Sequence, residues 1–226
     1  MHPSLVISLG GSIVVPDKVD VKFIEHFRDL ILGIKKNYNK IFIIVGGGAT
    51  ARVYQNALRE LGTEKNSDLD WMGISVSRLN GQLLRTVFSK FAYPELVTDP
   101  SKKISFGEKM MIGAGWKPGW STDYVSVQFA KTYGVREMLN LSNVECVYDK
   151  DPKTHPDAKP ISSLSWRKMK SLMPSKWTPG MNAPFDPQAV KLASGLGLKV
   201  VFLKGTDLGN LEHYLEGKKW KGSVVE

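Results

Sequence analysis

The sequence predicts an α/β protein built on a mainly parallel central sheet. Three observations carry that expectation. Short apolar runs alternate with segments whose apolar residues recur at helical spacing. One run, Ile41-Phe42-Ile43-Ile44-Val45, is unbroken and rich in β-branched residues, the mark of a strand covered on both faces. Glycines stand directly after strand-like runs, at Gly10-Gly11-Ser12 and at Gly46-Gly47-Gly48.

The elements follow in order. Val6 to Leu9 reads as a buried strand, and Ile24, Phe27, Ile31 and Ile34 mark the helix after it. Beyond the strand at 41–45, Tyr54, Leu58 and Leu61 mark a second helix. A long helix is expected from about Asp68 to Phe91, with Met72, Val76, Leu79, Leu83 and Val87 on one face. Lys109 to Gly113 is a short strand. Ser121 or Thr122 is the N-cap of a helix running through Ala130. Met138 to Leu141 is a strand. Asp186-Pro187 combines an N-cap with a proline at the first helical position, and that helix ends near Gly195 or Gly197. Leu198 to Leu203 is a strand, and Asp207 caps a last helix that stops at Gly217. One domain is expected over residues 1–226. Its N-terminal lobe (about 1–115) and C-terminal lobe (about 116–226) should meet in the glycine-rich stretch near 105–120.

Composition excludes several classes. A chain of 226 residues buries a core without staples. Its single cysteine, Cys146, rules out an intramolecular disulfide and a cysteine zinc cluster, and favours a reducing compartment. No apolar run approaches the roughly 20 residues of a membrane span, and Met1-His2-Pro3 lacks the layout of a signal peptide. The cytoplasm is the expected location. A net charge of +9 suggests a polyanionic partner, nucleic acid or nucleotides. The lysines are scattered apart from clusters such as Lys218-Lys219-Trp220-Lys221, and no nucleic-acid motif is present, so nucleic acid is disfavoured.

The chemistry lies in the glycines. Glycine at a strand end lets backbone approach a ligand closely, and the N-terminus of a following helix offers free N–H groups with partial positive charge. Two such turns suggest two phosphate groups, a donor and an acceptor. Neither common nucleotide motif is present. G-x-x-x-x-G-K-[ST] does not occur, since the nearest match, Gly217 to Ser223, lacks the lysine and follows a helix. No G-x-G-x-x-G follows a strand. The four histidines show no paired metal spacing, and His155 beside Pro156 reads as a loop residue, so no resident metal site is expected.

The motif order resembles the uridylate kinases of the amino-acid kinase family. The resemblance rests on Gly10-Gly11-Ser12, then Gly46-Gly47-Gly48-x-x-Ala51-Arg52, then Leu69-Asp70-x-x-Gly73-Ile74-x-x-x-Arg78-Leu79-Asn80. It continues through Pro118-Gly119-Trp120-Ser121-Thr122-Asp123 and Asn143-Val144-Glu145-Cys146-Val147-Tyr148-Asp149-Lys150-Asp151-Pro152-Lys153. Val14-Val15-Pro16-Asp17 is similar to the archaeal branch. The resemblance implies a three-layer αβα amino-acid kinase-like fold and transfer of the γ-phosphate of ATP, with Mg²⁺, to UMP. It also implies a homo-oligomer, typically a hexamer.

It implies roles as well. Gly11, Ser12 and Gly48 would cradle the transferring phosphate, and Gly47 would face the UMP phosphate. Arg52 would reach back to the phosphates between donor and acceptor, where a planar, permanently charged fork is suited. Asp70, a pure acceptor, would bind the ribose hydroxyls. Trp116, Lys117, Pro118, Gly119, Trp120, Ser121 and Thr122 match the acceptor-nucleotide segment. Asp123 matches an aspartate that organises the catalytic groups. Ser142, Asn143, Tyr148 and Asp151 match ATP-contacting positions.

Three departures stand out. Ser8 occupies a position where many family members carry a phosphate-stabilising lysine. Glu145-Cys146 replaces Asp-Gly beside the ATP segment. Trp116 and Trp120 stand where smaller or more polar residues are common, and either stack on a base or narrow the site. Two alternatives stay open: another small acceptor on the same fold, or a non-catalytic nucleotide- or oxyanion-binding relative.

Overall fold

The computed structural model describes residues 2–152, 154–173 and 184–226; Lys153, the last residue of the loop motif, lies outside them. Along the chain the elements are β1 (Leu5–Leu9), the single turn α1 (Gly11–Val14), α2 (Val21–Ile34), β2 (Ile41–Val45), α3 (Gly48–Glu60), α4 (Asn66–Val87), β3 (Met110–Gly113), α5 (Thr122–Tyr133) and β4 (Glu137–Ser142). The short strands β5 (Val147–Tyr148), β6 (Pro160–Ile161) and β7 (Ser163–Leu164) follow. The chain then continues through α6 (Trp166–Leu172), α7 (Pro187–Leu196), β8 (Lys199–Lys204), α8 (Leu208–Leu215) and β9 (Ser223–Val225).

Seven strands form one sheet in the order β3-β2-β1-β4-β8-β9-β7. Every neighbour pair from β3 to β8 is parallel, and β9 runs antiparallel to β8. The strands β1, β2 and β3 are buried along their whole length, because helices cover both faces. On one face Leu5, Ile7 and Leu9 join Ile41, Ile43, Leu139 and Leu203 beneath Phe27, Phe88 and Leu211 of the α2, α4 and α8 side. On the other, Val6, Phe42, Met138 and Val200 meet Phe129 of α5, Met169 of α6 and Ala193 of α7. The result is a three-layer αβα fold. β5 and β6 form a separate antiparallel ribbon.

The expected caps are in place. The Ser121 hydroxyl accepts the Tyr124 N–H at the start of α5, the Asp186 carboxylate accepts the Gln188 N–H ahead of Pro187, and Asp207 caps α8. Gly197, rather than Gly195, ends α7. The helix at α3 is present, but apolar periodicity does not give the buried faces of α3 and α4. The buried face of α3 is Ala51 and Gln55, while Tyr54 and Leu61 point outward, Leu61 with 83 % of its surface exposed. In α4, Leu69, Ile74, Val76, Ser77, Asn80, Gly81 and Leu84 are buried and Leu79 is 68 % exposed. The physical reason is that this inner face carries polar groups with work to do. The Ser77 hydroxyl donates to the Val45 carbonyl at 2.7 Å and accepts the Gly115 N–H at 2.8 Å. The Asn80 amide donates to the Gly46 carbonyl at 2.9 Å. These bonds sew α4 to the ends of β2 and β3.

Candidate active site

The carboxyl ends of β1, β2 and β4 lie side by side, since the three strands are parallel neighbours. Strand order reverses direction at β1, with β2 and β3 added on one side and β4 and β8 on the other. Ligands of open α/β sheets bind at such a point. Here the two glycine turns meet. A Cβ on Gly11 would lie 2.2 Å from the Gly46 carbonyl oxygen, and one on Gly48 would lie 2.2 Å from the Ser12 nitrogen. Gly48 also has φ +64°, in the left-handed region. Only two bare backbones fit this close, and the packing brings the β1 turn against the N-terminus of α3.

A cavity of about 210 Å³, open to solvent, starts at that junction. It is lined by Gly47, Gly48 and Arg52, by Asp70 and Gly73 of α4, and by Trp120, Ser121 and Thr122. Arg52 reaches across the junction, its Nη2 donating to the Ser12 hydroxyl at 3.0 Å. Asp70 accepts the Gly119 N–H on Oδ2 at 2.8 Å. Arg78 donates to the carbonyls of Gly115 at 3.0 Å and Trp116 at 2.8 Å. The 115–120 segment is thus held against α4 by two charged side chains and Ser77.

The segment carries an aromatic stack. Trp116 and Trp120 have ring centroids 6.2 Å apart, and Trp120 and Tyr124 are 3.9 Å apart. The Lys117 ammonium sits 4.2 Å from the Trp116 centroid. Of the expected acceptor residues, Gly47, Asp70, Trp120, Ser121 and Thr122 line the cavity; Trp116, Lys117, Pro118 and Gly119 form the loop outside it.

Asp123, in the first turn of α5, lies beneath the glycine junction. Its Oδ1 accepts the Asn140 amide at 3.1 Å and faces the Ser8 hydroxyl at 3.4 Å. Ser8 and Asn140 are register partners on β1 and β4, so they present their side chains together on the α5 face. The Asp123 residue as a whole is half-buried, but its carboxyl is enclosed. Burial, and then the negative charge of Asp186, push it up to about 7, against the pull of its hydrogen bonds. Asp186 in turn accepts the Ser121 hydroxyl, tying the cap of α7 to the cap of α5.

The expected ATP residues continue from β4. Ser142 ends that strand, its hydroxyl accepting the Val144 N–H at 3.2 Å. Asn143 is exposed just beyond. Tyr148 lies on β5, its hydroxyl raised above the ordinary phenol range chiefly by its hydrogen bond with Cys146. Asp151 begins the turn that follows, its carbonyl accepting the His155 N–H. Gln55, Gly73, Ser77, Asn140 and Asp186 were not singled out as site residues from the sequence. Of these, Gly73 carried a signal as a member of the α4 motif and Asp186 as a helix cap.

The model of the amino acid kinase family matches residues 3–204. The chain belongs to the amino acid kinase family. Within it, the chain is similar over nearly its whole length to proteins named uridylate kinase. That of Methanospirillum hungatei is 32 % identical over 226 residues, covering 99 % of this chain and 94 % of the relative. That of Aeropyrum pernix is 34 % identical over 232 residues, covering 99 % of each. Among solved structures, the uridylate kinase of Archaeoglobus fulgidus superposes with a TM-score of 0.84 at 28 % identity, over 98 % of this chain and 99 % of that one. The UMP kinase of Bacillus anthracis shares the fold at a TM-score of 0.77 and 19 % identity, over 99 % of this chain and 95 % of that one. The amino acid kinase fold therefore extends over nearly the whole chain.

Proposed function

We propose that this protein is a UMP kinase, transferring the γ-phosphate of Mg²⁺·ATP to UMP to give ADP and UDP in pyrimidine nucleotide biosynthesis. The observation that carries the reading is Arg52. Its side chain lines the acceptor cavity and hydrogen-bonds the Ser12 turn, so one guanidinium spans the two glycine loops where two phosphates would meet. Full-length similarity to uridylate kinases supports the same acceptor.

In this reading a UMP phosphate oxygen attacks the γ-phosphorus in line and ADP leaves. The nucleophile is already an anion, so no general base is needed, and the chain supplies position and positive charge. Gly11, Ser12, Gly48 and Arg52 hold the donor's terminal phosphates, with Ser142, Asn143, Tyr148 and Asp151 along the rest of ATP. Gly47, Asp70 and the 116–122 segment hold UMP. Asp123 fixes the polar groups under the junction. Among the described residues no group of three or more His, Cys, Asp or Glu side chains is placed to hold a metal ion. In this reading Mg²⁺ would arrive on the nucleotide, held by phosphate oxygens and water, and would supply neutralisation of phosphate charge.

Steady-state rates with UMP, CMP, AMP, dTMP and carbamate test the acceptor. UMP should be turned over fastest, and equal or faster turnover of any other compound refutes the assignment. Asp70→Asn keeps an acceptor for the Gly119 N–H but loses the charge. It should raise KM for UMP about tenfold, with KM for ATP unchanged. A shift in the ATP constant instead would reverse the two subsites.

The same reading includes a homo-oligomer, with a hexamer expected from the resemblance, and a cytoplasmic location. Val53 and Tyr54 on α3 and Trp71 and Leu79 on α4 are large apolar side chains left exposed, which suits a face covered by another copy. No helix among the described residues is long and apolar enough to cross a membrane. Light scattering should show a multimer that Leu79→Asp weakens; a monomer at tens of micromolar would remove this part of the reading.

A further inference from the structure

Gln55 is 9 % exposed, yet it lines the acceptor cavity. Its Nε2 donates to the Leu69 carbonyl at 2.8 Å. A carbonyl only accepts, so this bond settles which end of the amide is nitrogen and which is oxygen. The amide also packs against the bare backbone of Gly73, where a Cβ would come within 2.9 Å of Nε2. Oε1 has no hydrogen-bond partner among the described residues, and it is not among the sealed polar atoms, of which Arg85 Nε is the one example there. It therefore opens into the cavity. A nine-tenths buried amide, clamped on one side and unpartnered on the other, is placed to read a ligand.

The position along α3 says which part. Gly47, Ala51 and Gln55 follow one another at four-residue steps on the cavity face, each about 6 Å along the axis. Helical side chains lean toward the N-terminus, so the Gln55 amide stands roughly one turn from the phosphate end marked by Gly47 and Arg52. It is also bonded to the carbonyl of the residue just before Asp70, and Gln55 and Asp70 both line the cavity.

We propose that Gln55 is a specificity-determining residue that accepts a hydrogen bond from a ribose hydroxyl of the acceptor nucleotide, beside Asp70. This rests on the reading of the cavity as the UMP site. With a carboxylate and an amide oxygen side by side, the pocket takes a vicinal diol and leaves one acceptor unpaired when the 2′-hydroxyl is missing. Sites built to bond a hydroxyl discriminate strongly against the analogue without it.

The test is calorimetric binding of UMP and 2′-deoxy-UMP to the full chain, wild type and Gln55→Met, with thermal unfolding to verify the fold. Wild type should bind UMP at least tenfold more tightly than dUMP. Gln55→Met should weaken UMP about tenfold and dUMP less than twofold, closing most of the gap. Gln55→Leu, which removes the same oxygen with a shorter side chain, repeats the test if the methionine variant unfolds. Equal loss for both nucleotides, or an unchanged UMP affinity, overturns the role of Gln55 while leaving UMP as the acceptor. Absence of UMP binding to wild type overturns the acceptor assignment itself and the inference with it. Because binding is the readout, a chain that binds UMP without phosphorylating it still answers the question.

Discussion

Asp123→Asn should lower kcat by about 100- to 1000-fold and leave the unliganded fold intact. Asparagine preserves the shape and can still accept the Asn140 amide at Oδ1. What disappears is a negative charge under the junction of the two glycine turns. The change should also erase a pH signature. In the folded chain the Asp123 carboxyl titrates at about 7, raised first by burial and then by Asp186. In the unfolded chain it titrates near the ordinary aspartate value of about 3.9. Between those values the native state holds a proton that the unfolded state has released. This group therefore makes the native state more stable as pH falls from about 7 toward about 4, with no further change above 7. The unliganded wild type should gain melting temperature relative to Asp123→Asn on acidification from pH 8 to pH 5. Its kcat/KM should decline below about pH 7 as the charge is lost, and the variant should lack that limb. Parallel melting curves, or a kcat within threefold of wild type, would remove Asp123 from the chemistry.

Arg52→Ala should have the other large effect, a kcat loss of roughly 100- to 1000-fold with a smaller change in the binding of either nucleotide. The guanidinium bonds the Ser12 hydroxyl at 3.0 Å with one nitrogen. In the proposed reaction its remaining N–H groups would face the charge that builds on the moving phosphoryl group. Arg52→Lys separates charge from geometry, since an ammonium keeps the former and loses the fork. It should recover part of the rate. Single-turnover measurement of UDP formation with both nucleotides saturating decides the matter. If lysine restored full activity, charge alone would suffice, and if alanine stayed within threefold, Arg52 would hold only the Ser12 turn.

The architecture was legible because its strands and caps are local chemistry. The run at 41–45 is apolar on both faces because helices do cover both faces, and Asp186-Pro187 starts a helix wherever it is placed. The two-residue strands β5, β6 and β7 left no such mark, since their pairing comes from partners far along the chain. For a definite reason, apolar spacing does not locate the inner faces of α3 and α4. Periodicity counts apolar residues, whereas the inner faces here bury Gln55, Ser77 and Asn80 to bind backbone, and leave Tyr54 and Leu79 outside. The candidate site followed the same division. Gly11, Gly48, Arg52 and Asp70 stood in recognisable spacing. Gln55 carried no pattern, because its meaning depends on the Leu69 carbonyl and Gly73 brought against it by the packing of α4. Asp186 looked like a helix cap and is one, and its approach to Asp123 and Ser121 exists only in three dimensions.

The interlocked turns at Gly11 and Gly48 bear on how this protein can change. The spacing between them is set by main chain against main chain, with no side chain to trade for another. No single substitution at either position can be absorbed by its neighbour, so the pair forms a frozen unit in any mutational path. The walls around the acceptor are different, since Gln55 and Trp120 are side chains on helical or loop scaffolds. A library seeking new acceptors should randomise those walls and leave the turns alone, and its surviving clones should differ in what they phosphorylate while keeping the same distance between the two phosphate cradles.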